Sequence, residues 1–227
     1  MILWKLELIF FRIDKPLWNF IMDKKRSIDQ SIDQLVKAEW DMFQLVQNTG
    51  GKASCQEDFT TFEIMRSCQF KSWSDAALES YLADLENARQ GGKNLITEKY
   101  ARMMESTSPK EYRKIKRRLP PVHPDVYELI GKILKIILAC EEELIKKYPN
   151  LTKRGRVLYS TEDTPFATSK ETYFKGELAT YSLKTLRLYY EHISDLESRG
   201  ENVSEVVLKE TVTRYGYGSL QEAEDSY

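Results

Sequence analysis

Glycine, proline, histidine and cysteine are all scarce in this chain, and each scarcity excludes something. Ten glycines and seven prolines in 227 residues are few for a fold of many short strands, and no stretch sustains the apolar–polar alternation of a half-buried strand. Two histidines, His123 and His192, and three cysteines, Cys55, Cys68 and Cys140, supply no CxxC pair and no closely spaced set for zinc. Neither histidine lies three residues after a glutamate, so the Glu-x-x-His pairs of a di-iron bundle are missing. The odd cysteine count suits a reduced cytoplasm better than a disulfide framework. An excess of one charge is missing too. Against 35 Asp and Glu stand 34 Lys and Arg, a net of −1, so no global field draws the chain to nucleic acid or to a membrane. Lys5, Glu7, Arg12, Asp14 and Lys15 interrupt the apolar opening "MILWKLELIFFRIDKPLWNFI" and leave no span near the ~20 apolar residues that cross a bilayer. Residues 1–21 read as an extension ahead of a domain that opens at Met22.

What is abundant is Ala, Leu, Glu, Lys and Arg, the strong helix formers. The spacing predicts helices over about Ser27–Asn48, with Gly50 and Gly51 as the stop, and over Asp58–Trp73. Ser74 caps a third that ends at Gly91-Gly92, and Asn94 caps a fourth. Ser108-Pro109-Lys110-Glu111 reads as a capping box with Pro at the first helical position and opens a fifth, short helix. The next, Val126–Tyr148, carries apolar residues almost all round its axis and is expected to be central and buried. After a loop-rich crossover at 150–167, the box Thr168-Ser169-Lys170-Glu171 opens one long helix to about Arg199. Asn202 and Glu205 start a last helix, and residues 219–227 form an acidic tail, expected to fray. The expectation is all-α: one compact domain over 22–218, with about seven helices around a central apolar one.

Helical phase is more informative than element order. Glu39 falls inside the apolar stripe Ile28, Ile32, Leu35, Met42, Phe43 and Val46. Arg66 falls inside the aromatic face of the next helix, with Gln69 beside it. A carboxylate or guanidinium buried alone costs several kcal/mol, so each needs a partner, and an arginine fork holds a carboxylate in two bonds. Glu171 shares a face with Phe174, Leu178 and Tyr181, and Lys99 and Tyr100 flank the stripe of Ile96 and Met103. Each admits a bland reading: a register-fixing ion pair, a helix cap, a solvated edge. Three helices turning polar groups inward together point to a small-molecule site. Glu39 and Glu171 are then the candidate general acids or bases, and Arg66 the anchor of an anionic group. The loop "NTGGKASCQ" joins the helices of Glu39 and Arg66 and would bring Asn48 and Gln56 to the wall.

Competing motifs are weaker. Glu39, Asp58, Glu63 and Glu171 could offer oxygens to magnesium, but nothing fixes their spacing. No metal is assigned, and no cofactor is identifiable. Cys55 and Cys68 lack a convincing histidine, since His192 lies on an apolar face. "KEYRKIKRR" at 110–118 carries six Lys or Arg in nine residues and reads first as a solvated helix face.

The stretch "EWDMFQLVQNTGGKASCQEDFTTFEIMRSCQFKSW", with "SYLADLENARQGGKNLITEKYARMME", "TSKETYFKGELATYSLKTL" and "YGYGSLQEAE", resembles the bacterial family known as domain of unknown function 4125, from about Lys37 to Glu224. The resemblance implies a cytoplasmic protein and brings no activity. It adds Tyr173 and Glu177 to the candidate ligand-binding set of Arg66, Asn48, Gln56, Gln69, Lys99 and Tyr100. Two functions of different class follow: a buried polar pocket for a small anionic ligand, with catalysis by a carboxylate as one form of it, or a regulatory module for a protein or RNA partner, in which the buried polar groups are structural. Oligomeric state is not encoded legibly.

Overall fold

The structure is a computed structural model that describes the backbone of residues 15–48 and 51–227 and the side chains of 23–48 and 51–227. The expected extension falls mostly outside these residues, as does Gly50.

Eleven α-helices and no strands are found among the described residues. Helix α1 (Lys15–Gln44) passes through Met22 without a break. Helices α2 (Phe59–Phe70), α3 (Asp75–Gln90) and α4 (Leu95–Thr107) follow, and the amide of the third residue of each donates to the side chain of Asp58, Ser74 or Asn94 just ahead of it. Such caps satisfy donors that a helix leaves free at its N-terminus, and the spacing predicted the last two. Helix α5 (Pro109–Ile115) starts at Pro109 as expected, but Ser108 makes no side-chain cap. A short 3-10 turn, Lys116–Arg118, continues it.

Helix α6 (Pro124–Lys147) corrects the expectation of a central helix. Ile130, Ile133, Ile136, Ile137, Cys140 and Leu144 are buried, yet Lys132, Lys135 and Ile145 lie exposed on the other side. Its charged face wins over the near-continuous apolar count, and α6 lies at the edge of the core against α8, α9 and α10.

The predicted long helix is two. Helix α8 (Lys170–Leu178) stops, and α9 (Leu183–Ser198) starts anew after Ser182, whose backbone is extended and whose hydroxyl accepts from Thr185 N. Asp84 on α3 accepts from Ser182 N at 2.9 Å and Thr185 Oγ1 at 2.7 Å. Ser182 and Thr185 thus fix the break between the two helices. Helices α7 (Pro149–Thr152), α10 (Val203–Arg214) and α11 (Leu220–Asp225) complete the chain.

The segment expected to fray is folded. Leu220 and Ala223 are buried beside Leu144, Tyr148 and Val212. Glu224, also buried, accepts from Asn150 N at 2.8 Å and Leu151 N at 2.9 Å. A carboxylate at the positive end of α7 explains why an acidic residue sits inside.

Candidate functional site

Four charged side chains meet in the core. Glu39 comes from α1, Arg66 from α2, Lys99 from α4 and Glu177 from α8, and each is at most 5% exposed. Arg66 holds Glu39 in the fork geometry anticipated from the sequence, Nε to Oε2 at 2.5 Å and Nη2 to Oε1 at 2.6 Å. Its remaining nitrogen, Nη1, donates to Gln69 Oε1 at 2.5 Å and to Glu177 Oε1 at 3.2 Å. Lys99 donates to Glu177 Oε2. Tyr81 OH on α3 closes Glu39 Oε1 at 2.7 Å, and Tyr181 OH closes Glu177 Oε1 at 2.7 Å. Gln69 Nε2 adds a donor to Glu177 at 3.1 Å.

Two carboxylates thus face two cations, and the donors come from α2, α3, α4 and the turn after α8. Among the described residues, the buried side-chain atoms without a partner are Trp73 Nε1 and Ser194 Oγ, and neither belongs to this network. Aromatic rings surround it: Phe70 lies 4.8 Å under the Arg66 guanidinium, and Trp73, Tyr81, Tyr181 and Tyr189 pack on one another.

Burial would raise the pKa of Glu177, but Arg66 and Lys99 outweigh it and hold the carboxyl well below the usual range. Burial likewise pulls Lys99 down, and Glu177 and the Tyr173 ring more than restore it. Burial and the neighbouring carboxylates push Tyr81 and Tyr181 up, so both phenols stay protonated donors. A carboxylate held ionised this firmly is a poor proton donor near neutral pH.

The depressed pKa makes a stability prediction. A carboxyl whose folded pKa lies below its unfolded value contributes stability in full above the unfolded value, near 4.5 for Glu177, and loses it as the pH falls toward the folded one. The urea midpoint should therefore fall progressively below about pH 4.5, and the slope should be shallower in Glu177→Gln. Equal slopes in the two proteins would mean that Glu177 is not held ionised by its neighbours.

The other candidates divide. Tyr100 and Tyr173 join the outer end of the network. The Lys99 ammonium sits 3.7 Å from the centre of the Tyr173 ring, on which Arg156 also lies at 4.8 Å. Tyr100 stacks on Phe43, and burial pushes its phenol up to about 12.

Asn48 and Gln56 do not reach the network. Gln56, 1% exposed, donates to Phe43 O at 2.8 Å and Val46 O at 3.0 Å, and it accepts from Asn48 Nδ2 and Ala53 N at 2.9 Å each. It bonds carbonyls at and just beyond the end of α1, and Gly51, at φ +90°, lets the chain turn back. The loop is a helix terminus, with Cys55 exposed on its outside.

Glu171 does not join Glu39 and Arg66 as its apolar face suggests; Glu177 bonds Arg66 instead. Glu171 Oε2 accepts from Ser160 N at 2.7 Å at the edge of a separate cleft of about 190 Å³ between α4, α5, α6 and α8. Arg102, Ser106, Tyr112, Tyr127, Glu171 and Lys175 line that cleft, and all but Glu171 were missed. They sit on exposed or half-buried faces, where phase gives no signal. A larger depression, of about 350 Å³, lies between α1 and α3, where Lys24 and Asp75 already pair at 3.1 Å.

The carboxylates considered for magnesium are dispersed. Asp58 caps α2, Glu63 meets Arg214 at 2.5 Å, and Glu39 and Glu171 are bound as above. No three His, Cys, Asp or Glu side chains converge as a metal site among the described residues. His192 is half-buried rather than a core residue, and its Nε2 lies 2.9 Å from Ser72 O. No helix among the described residues is long and apolar enough to cross a membrane.

A family model described as protein of unknown function (DUF4125) matches residues 29–225, in line with the sequence resemblance and extending into α11. No curated protein matches the chain, and no solved structure does.

Proposed function

The chain belongs to this family of proteins of unknown function, and on that premise we propose that it binds a small anionic ligand in the cleft between α4, α5, α6 and α8. The observation that carries this reading is a contrast in hydrogen bonding. The core network is neutral and saturated, so it offers a ligand nothing. In the cleft, by contrast, Tyr112 OH, Tyr127 OH and Lys175 Nζ make no hydrogen bond among the described residues, and the nearest carboxylate to Lys175, that of Glu105, is 4.0 Å away.

The volume, about 190 Å³, lies below the roughly 300–1,000 Å³ of drug-sized sites, which suits a small metabolite. Lys175 supplies the cation for an anionic group. The core network acts from behind by fixing α8, which carries Glu171 and Lys175, against α4, which carries Arg102. If the site is catalytic, Glu171 is its base, because one of its oxygens is bound and the other is free among the described residues. Glu39 is enclosed and has no such role.

Lys175 and Tyr127 are both about half exposed, so Lys175→Ala and Tyr127→Ala should fold normally. Thermal-shift screening of the intact protein against small carboxylates and phosphate esters should raise the wild-type Tm and leave both variants unmoved. Shifts equal in wild type and both variants would place the site elsewhere.

One observation favours the interaction-module reading. Phe166 is wholly exposed on a turn stiffened by Thr164 Oγ1, which accepts from Phe166 N and Ala167 N, a geometry suited to anchoring a partner protein.

A further inference from the structure

The cleft lining is electrically balanced, Arg102 and Lys175 against Glu105 and Glu171, but its neighbourhood is not. Tyr112 enters the cleft from α5, and α5 with the turn after it is the basic stretch. Lys110, Arg113, Lys116, Arg117 and Arg118 are all exposed, and among the described residues none of them is ion-paired. Only Lys114 is neutralised locally, by Glu111 at 2.8 Å. Exposed cations elsewhere divide: Lys71 meets Glu210, Lys132 meets Glu128 and Lys147 meets Glu205, while others such as Lys37, Lys93 and Lys184 are unpaired among the described residues but stand singly along the chain.

Two features tie this stretch to the cleft. Lys116 follows Tyr112 by four residues, which places both on one side of the helix. At the far end, Arg102, itself in the lining, donates to Pro120 O at 2.8 Å while holding Glu98. The basic segment therefore adjoins the cleft, giving Tyr112 to its lining and leading into Pro120, which Arg102 holds. Five unpaired cations on the segment that gives a neutral cleft its Tyr112 call for a ligand with a polar body and a multiply charged anionic extension. The two phenols offer ring faces and hydroxyls to the body.

Resting on the cleft reading above, we infer that the ligand is a phosphorylated small molecule of nucleotide type, its ring between Tyr112 and Tyr127 and its phosphates along Arg113–Arg118.

Calorimetric titration of the intact protein with the four common ribonucleoside triphosphates, their nucleosides, inorganic pyrophosphate and a ten-nucleotide RNA strand tests this. At least one triphosphate should bind ten-fold or more tightly than its nucleoside and weaken as salt is raised, because rim charges are screened. The double reversal Arg117→Glu/Arg118→Glu should cut triphosphate affinity at least ten-fold without moving Tm. Tyr127→Ala should weaken triphosphate and nucleoside alike.

Triphosphates that bind no better than nucleosides, or that ignore the charge reversal, would overturn the inference, and so would pyrophosphate binding as tightly as the triphosphates. The cleft reading would survive those results if Tyr127 and Lys175 still controlled the thermal shift of another ligand. It would fail together with the inference if they did not. RNA bound more tightly than any mononucleotide, and indifferent to Tyr127→Ala, would reassign the basic rim to a nucleic-acid backbone.

Discussion

Replacing Arg66 by alanine is expected to lower unfolding stability by about 3–5 kcal/mol, the range for removing one partner of a buried ion pair. The loss is large because of what remains. Glu39 would lose both bonds of the fork and keep only the Tyr81 hydroxyl. Glu177 would keep Lys99, Tyr181 and Gln69 but lose the second cation that holds it ionised. Two carboxylates would then share one cation in a site closed to water. For domains whose net stability is about 5–15 kcal/mol, that removes roughly a fifth or more.

The penalty comes from stranded charge and not from lost packing, and this can be tested. In Glu39→Leu/Arg66→Met the remaining pair, Lys99 and Glu177, stays balanced, and well-packed apolar replacements of buried ion pairs are often neutral or better. Urea unfolding should therefore show the double variant recovering most of what Arg66→Ala loses. A single-variant loss below about 1 kcal/mol, the scale of an exposed pair, would contradict burial of the network. The same reasoning disqualifies Arg66 as a probe of ligand binding. A ligand response that vanishes in Arg66→Ala would report a damaged core.

The helical class, most element boundaries and the Glu39–Arg66 pair were readable because they rest on local rules. Caps announce themselves as Ser, Asp or Asn ahead of an apolar period, and a charge inside an apolar stripe must have a partner. Glu177 was harder. Its chain neighbours suggest one continuous helix from Thr168, and on that path Glu171 shares the apolar face. The break at Ser182, held by Asp84 from another helix, ends α8 and sends α9 off separately. That is a tertiary contact 98 residues away in sequence, invisible to periodicity.

Gln56 misled for a different reason. A buried polar side chain looks alike from sequence whether it serves a ligand or a backbone. Only the open carbonyls at the end of α1 decide between the two. The cleft was least legible, because its residues lie on exposed or half-buried surface, where residue choice is loosely constrained and no phase anomaly marks them.

Gly176→Val is expected to cost about 3 kcal/mol, the upper end of the usual range for overpacking, and Gly176→Ala about 1–2 kcal/mol. A Cβ on residue 176 would lie 2.8 Å from Met103 Cγ and 3.0 Å from Lys99 O. Met103 can shift its side chain, but the carbonyl belongs to the backbone of α4 and moves only with the helix. Alanine regains about 1 kcal/mol of helix propensity over glycine, which offsets part of the clash; valine regains less and adds two methyl groups against the same carbonyl. The order wild type, alanine, valine should therefore appear in urea midpoints, and a stabilised Gly176→Ala would show that α4 and α8 do not pack this closely.

The effect should also be directional. Gly176 sits beside Glu177 and one residue beyond Lys175, so moving α8 away from α4 stretches the Lys99–Glu177 bond on one side and widens the Arg102–Lys175 cleft on the other. Gly176→Ala, still folded, should therefore make the loss of stability at acid pH shallower, because a stretched pair depresses the Glu177 pKa less, and weaken cleft ligands together. A core change that altered stability but left ligand affinity untouched would uncouple the buried charges from the cleft and reduce the network to a fastening of the fold.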